Sequence, residues 1–333
     1  MVNGERASLR SHWLPSKATL LDPGFWANRT VGLAFVGLLA AGWLLSPSFF
    51  FTAGNFHGIM TAAAILTVLT VGQAFVVLTG GIDLSLAAVT MLSGVMVGVA
   101  VTYGWGVPAG VVLAIATGCG FGIVSGIVIA KGKITDFIAT LGMLSVAQGL
   151  GLYISNAQTV FVNDQFLSRL STDGVNVFDV IKIPYLYLVA VAVVIVGHVV
   201  LFRTRFGTHL LATGGNKEAS RALGIPVDRI KISAYAISGA MAGLAGIMST
   251  AYLLSAIPTI SSDNLLQSVA ATVVGGVSLF GGRGTILGPA LGAIFLVALT
   301  NLLTILGIGQ YQQYMIIGGV VIASALLYRY QRV

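Results

Sequence analysis

The chain has 333 residues, 56% of them hydrophobic and 8% charged, with a mean hydropathy of +0.96. Soluble domains carry about 25% charged residues, so a water-soluble globular protein is excluded. Collagen is excluded too, because the 43 glycines follow no Gly-X-Y period and only 8 prolines accompany them. The net charge of +7 would suit a nucleic-acid binder in a soluble chain, but in a membrane protein such an excess records topology.

Residues 1–30 hold no apolar stretch, so no cleaved leader is expected, and the first apolar segment reads as an uncleaved anchor. Ten apolar segments follow, at 31–50, 58–79, 84–102, 107–130, 134–156, 184–202, 232–252, 265–281, 285–306 and 312–328. They run near 20 residues without alternating, which is the pattern of helices and not of barrel strands. The expected fold is an all-α polytopic membrane protein of about ten transmembrane helices, short or broken near 84–102 and 265–281. One membrane domain would span 31–328, between a cytoplasmic N-terminal segment 1–30 and a cytoplasmic tail 329–333. With ten crossings and a cytoplasmic N-terminus, only Arg169 and Lys182 of the 17 Lys and Arg fall outside, both in loop 157–183. That asymmetry is the positive-inside rule, so the expected partner of the basic charge is a lipid bilayer and not nucleic acid. Cys119 is the one cysteine, which precludes a disulfide within the chain.

Small residues recur at four-residue spacing in three segments: Gly118, Gly122 and Gly126; Gly239 and Gly243; Gly288 and Gly292. Such faces let helix backbones approach closely. Residues 76–85 and 271–280 also echo one another at an offset of 195, each carrying Gly-Gly at the end of an apolar run. The echo reads either as an internal repeat or as chance recurrence in a glycine-rich chain.

The search for catalysis is negative. The four histidines, at 12, 57, 198 and 209, are scattered, and no catalytic or metal-binding motif occurs. Residues 276–283 mimic a phosphate loop, but Gly282 stands where its lysine must be, so no ATPase site of the chain's own is expected. Charge within the apolar segments is scarce, which disfavours an ion-coupled carrier. Asp83 and Asp136 lie at segment ends, where Asp83 with Ser85, and Thr135 or Asp136, could cap the following helices. Gln73, Asp83, Ser85, Thr140, Asn156, Gln267 and Asn301 are the candidates for a weakly polar translocation pathway. Each reads equally well as a source of hydrogen bonds within the helix bundle.

The longest internal basic loop, 203–231, predicts a short helix at 217–223. Asn216 would cap it, Glu218 would sit in its first turn, Arg221 would lie near its end, and Gly224 and Pro226 would stop it. A helix of two turns is marginal alone in water, so it must pack on its own domain or on a cytoplasmic partner.

Gly80-Gly-Ile-Asp-Leu-Ser85, Phe137-Ile-Ala-Thr-Leu-Gly142, Arg205-Phe-Gly, Thr213-Gly-Gly-Asn216, Ala219-Ser-Arg-Ala-Leu-Gly-Ile225 and the run Ala270 to Thr285 occur in order. Over residues 58 to 325 the chain resembles the membrane permease subunit of ribose/xylose/galactose-type ABC sugar importers, a family with more distant branched-chain amino-acid permeases. The resemblance implies import of a monosaccharide, a pentose, hexose or related polyol, across the bacterial cytoplasmic membrane. It implies a second permease copy or sister permease, an extracytoplasmic sugar-binding protein at loops 157–183 and 253–264, and a cytoplasmic ATPase. ATP and Mg would belong to that ATPase, with no cofactor held by this chain. Gly214, Gly215, Asn216, Lys217, Glu218 and Arg221 would then form the coupling-helix contact. An ion-coupled secondary transporter of small polar solutes is the alternative.

Overall fold

The computed structural model describes residues 30–177, 181–259 and 262–329. The expected N-terminal segment 1–30, save its last residue, lies outside the described residues, as does most of the expected tail.

Each apolar segment becomes helical. The first breaks at Ser46, between α1 (Thr30–Leu45) and α2 (Pro47–Phe50), because a residue before proline avoids the helical region. Helix α3 (Ala53–Leu78) starts where the Thr52 hydroxyl accepts from the Asn55 N–H at 3.2 Å, and it runs through the centre of the bundle almost wholly buried. It ends in a Schellman turn: Gly80 N–H donates to Val77 O, Gly81 N–H donates to Val76 O, and Gly80 takes φ 74°. An irregular stretch, 79–85, leads to α4 (Leu86–Thr102), followed by α5 (Gly106–Ala130) and α6 (Asp136–Ile154).

Loop 157–183 is more ordered than the sequence suggests. It holds β1 (Val160–Phe161), α7 (Gln165–Thr172) and an antiparallel ribbon of β2 (Gly174–Val177) with β3 (Ile181–Pro184). Asp164 caps α7 by accepting from the Phe166 and Leu167 N–H groups. Helix α8 (Tyr185–Arg203) follows at once. Loop 203–231 likewise holds two helices where one was expected, α9 (Arg205–Gly215) and α10 (Lys217–Ala222), and α11 (Val227–Leu253) begins inside it. The chain closes with β4 (Ser255–Ala256), which pairs antiparallel with β1, then α12 (Ser262–Val274), α13 (Leu287–Ile305) and α14 (Gln310–Arg329). The membrane-type part is thus all helix, and the short strands gather at one end, beside the stacked rings of Tyr103 and Trp105.

Glycine decides the interior. On α5, a Cβ added at Gly118 would strike the carbonyl of Gly239, and one at Gly122 the carbonyl of Tyr235; Gly126 lies against Ile232. The reciprocal residues Gly239 and Gly243 on α11 face Gly118 and Ala114. On α13, Gly288 and Gly292 face the Gly275 and Ala271 carbonyls in the same way. These contacts seat α5 on α11 and α13 on α12 at backbone distance.

Six described helices are long and apolar enough to cross a membrane: α3, α5, α6, α8, α11 and α13. The expected count of ten is not reached on that criterion. Helix α12, with 13 residues, extends about 20 Å at 1.5 Å per residue, short of a hydrocarbon core of about 30 Å. The chain is therefore a helical, multi-pass membrane protein with two interrupted segments.

The interruptions match in form. Gly276, φ 82°, donates to Val273 O and Val277 to Thr272 O, repeating the turn at Gly80 and Gly81. The left-handed residue is the first glycine of one pair and the second of the other, so the turns correspond at an offset of 196, one residue from the sequence echo.

Candidate functional site

The end of the bundle opposite the strands collects the unusual chemistry. Helices α9 and α10 cross it, and three Gly-Gly pairs converge beneath them. A Cβ on Gly214 would strike the Leu78 carbonyl, one on Gly281 would lie 2.7 Å from Gly80 N, and one on Gly282 would lie 2.6 Å from the Gly215 Cα. Gly282 N–H also donates to Leu78 O at 2.9 Å. The segment leading into α10 thus rests directly on both interruptions, 79–85 and 275–286.

Helix α10 itself stands outward. Asn216 accepts from the Ala219 N–H at 3.0 Å as its cap, and Gly224, φ 78°, ends the turn that follows it. Gly215, Asn216, Lys217, Glu218 and Arg221 are exposed, and Leu223 is 81% exposed beside them. Gly214 is half-buried in the junction below. Arg221 pairs with Asp228 on α11 at 2.7 Å, where both side chains remain about half exposed. A pair so exposed contributes little stability. The site is a small charged and apolar knob on a glycine base.

The polar candidates of the interior divide. Gln73, Asp83 and Ser85 come together. The Asp83 Oδ1 accepts from the Ser85 N–H at 3.0 Å and from its hydroxyl at 2.6 Å, while Oδ2 accepts from the Ser238 hydroxyl at 2.8 Å. With its amide oriented to satisfy both neighbours, Gln73 donates to the Asp83 carbonyl at 3.1 Å and accepts from its N–H at 3.3 Å. Tyr235, fully buried, donates its hydroxyl to Ile82 O at 3.2 Å. Asp83 therefore shapes the irregular stretch, and the helix after it starts at Leu86 and not at Leu84, with no side-chain cap from Ser85. The second capping expectation is also corrected. Thr135 sits at the cap position of α6 without a side-chain bond, and Asp136 pairs with Lys231 of α11 at 2.6 Å.

The other candidates are dispersed. Thr140 turns back on the Asp136 carbonyl at 2.7 Å within α6. Asn156 is an exposed left-handed residue, φ 51°, that ends the turn after α6 at the strand end. Gln267 is half-buried on α12. The Asn301 amide on α13 donates to the Asn55 Oδ1 on α3 at 2.8 Å, a helix-to-helix bond, while its own oxygen is buried without a partner. A groove of about 490 Å³ between α4, α5 and α6 is lined by Leu92, Met96, Phe121, Met143, Leu150 and their neighbours. It holds none of the candidates, and its wall is apolar apart from Thr117.

Sequence reasoning missed Lys231, Tyr235 and Gln148. Lys231 counted only as an internal charge, because the apolar segment was read from residue 232 whereas the helix begins at Val227. Gln148 lies within the apolar run 134–156, an amide exposed on α6 with no hydrogen bond among the described residues. Among the described residues no cluster of His, Cys, Asp and Glu could hold a metal.

A polytopic helical bundle with an outward helix over interrupted glycine turns is the frame of a membrane transport protein, and the comparisons specify which. Residues 55–325 match the family described as branched-chain amino acid transport system / permease component, and the chain belongs to it. It is 36% identical to the ribose import permease protein RbsC of Escherichia coli K12, over 89% of this chain and 91% of that protein. It is likewise 36% identical to RbsC of Bacillus subtilis 168, over 86% and 88%. The L-arabinose ABC transporter permease protein AraH of Azospirillum brasilense is 32% identical over 93% and 90%. No solved structure matches at comparable stringency.

Proposed function

We propose that this chain is the permease subunit of a binding-protein-dependent ABC importer for a monosaccharide, a pentose, hexose or related polyol. The observation that carries the reading is α10, an exposed, capped helix seated on both interruptions of the bundle, in a chain whose relatives are sugar permeases. A separate ATPase binds α10 from the cytoplasm, and ATP with Mg is held there. The end that carries α9 and α10 also carries Lys131, Lys133, Arg203, Arg205, Arg229 and Arg283, which supports its cytoplasmic placement and that of both termini. The strand end, with Arg169 and Lys182, faces outward to the sugar-binding protein, in the bacterial cytoplasmic membrane. A second permease, identical or sister, completes the pathway, since Gln73 and Asn301 are engaged in hydrogen bonds within the bundle. The wall of that pathway is α6, through Ser145 and Gln148.

The test uses the permease reconstituted in liposomes with its ATPase and sugar-binding protein. Glu218→Lys and Arg221→Glu each lower binding-protein-stimulated ATP hydrolysis at least tenfold while the amount of permease in the membrane holds. Unchanged ATP-driven uptake in both variants rejects α10 as the contact. Gradient-driven uptake by the permease alone, without ATPase, rejects the ABC reading in favour of an ion-coupled carrier.

A further inference from the structure

One face of α11 touches three different parts of the molecule in succession. Asp228, Lys231, Tyr235 and Ser238 are spaced three, four and three residues apart, so they form a single stripe. From the first turn upward, Asp228 binds Arg221 of α10, and Lys231 binds Asp136, the first residue of α6. Tyr235 then binds the Ile82 carbonyl, and Ser238 binds the Asp83 carboxylate. Gly81 closes the cluster, since a Cβ there would lie 2.5 Å from the Asp136 Oδ2 and 2.8 Å from the Tyr235 hydroxyl.

The ion pair at Lys231 is the odd member. Its ammonium meets both Asp136 oxygens, at 2.6 and 3.0 Å, and the two side chains are only 10% and 17% exposed. A buried ion pair is weak support for stability, because apolar side chains of similar volume often hold a fold as well or better. Its two short charge-assisted bonds do something apolar contact cannot, which is to fix direction and distance between two helix ends. Four residues separate α10 from α11, and Arg221 ties the two together, so a shift of α10 moves the first turns of α11.

We infer that Asp136 and Lys231 are positioning residues that carry the position of α10 to the start of α6. This rests on the reading of α10 as the ATPase contact. The pair touches neither sugar nor nucleotide; it sets where the cytoplasmic end of α6 stands when α10 is pulled.

The experiment measures sugar taken up per ATP hydrolysed in proteoliposomes holding the complete importer. Lys231→Gln and Asp136→Asn keep ATP hydrolysis and lower uptake per ATP at least tenfold. Where the single variants fail to accumulate, the double variant Asp136→Leu with Lys231→Met decides, since it leaves no unpaired buried charge. It inserts at the normal level, hydrolyses ATP and remains uncoupled by the same factor. Uptake per ATP equal to wild type in the double variant overturns the inference and leaves the pair a packing contact. Unchanged ATP-driven uptake in Glu218→Lys and Arg221→Glu refutes instead the assignment of α10, so the two failures are distinguishable.

Discussion

Helices α6 and α8 are the same length, 19 residues, and the same fraction of each, 22%, is buried in the bundle. Their outward faces differ. Helix α8 exposes Leu188, Val191, Ile195, Val196, Val199 and Phe202, and its one histidine, His198, is half-buried with its ring against Phe202. Helix α6 exposes apolar residues too, among them Phe137, Ile138, Val146 and Leu150, but a strip of Gly142, Ser145, Gln148 and Gly149 runs between them. Nothing in the chain lies within 4 Å of a Cβ placed on either glycine. An amide left unpaired in hydrocarbon costs about 4–8 kcal/mol relative to water, and glycine costs about 1 kcal/mol relative to alanine within a helix. A lipid-facing helix gains nothing from either residue. Equal burial therefore conceals two different outward faces: that of α8 is apolar, and that of α6 carries a strip of small and polar residues, where the proposed pathway or a second permease would lie.

The strongest way to break that contrast is to place a cation at the middle of each helix. Ile195→Arg costs about 2.5–3.5 kcal/mol of insertion at a helix centre and lowers the amount of permease in the membrane by roughly a hundredfold. Ser145→Arg, measured in the assembled importer, leaves that amount within about twofold and abolishes uptake. Equal loss of membrane-inserted protein in the two variants would return α6 to the lipid. A smaller effect is expected from Gln148→Leu, which would remove a hydrogen bond to sugar in the proposed pathway, worth about 0.5–1.5 kcal/mol. It lowers uptake up to about tenfold, read as initial rate at limiting sugar with normal membrane levels. In a Cys119→Ala background, Gln148→Cys reacts with a water-soluble thiol reagent and Ile195→Cys does not. The smallest effect sharpens the other side of the comparison. Val196→Leu on α8 stays within about 0.5 kcal/mol of wild type in thermal unfolding and leaves uptake unchanged.

Much of the architecture was legible because it depends on local pattern. Apolar runs located the membrane-type helices to within a few residues, save the early end of α12, but gave no sign of α7 or α9; the four-residue glycine spacings named the faces that seat α5 on α11 and α13 on α12. Asn216, Glu218 and Gly224 announced α10, since capping is a matter of neighbouring residues. The site was less legible. Asp136 looked like a cap because sequence position alone suggests one; its partner Lys231 lies 95 residues away, and no local rule links the two. Gln73 and Asn301 read as pathway residues because polarity in an apolar run is informative, but the direction in which a side chain faces is decided by the helices around it. Gln148 carries the same local signal as Gln73 and has the opposite fate, exposed and not buried.

By itself, the sequence determined that this protein lives in a bilayer, where its helices run and which of its loops carry positive charge, because hydrocarbon admits only apolar, internally bonded segments. Tertiary structure alone decided that three Gly-Gly pairs meet under α10, that Asp83 shapes an interruption, and that Asp136 joins Lys231. These are contacts between distant residues, set by backbone approach that only glycine permits and by charges that burial leaves no other partner.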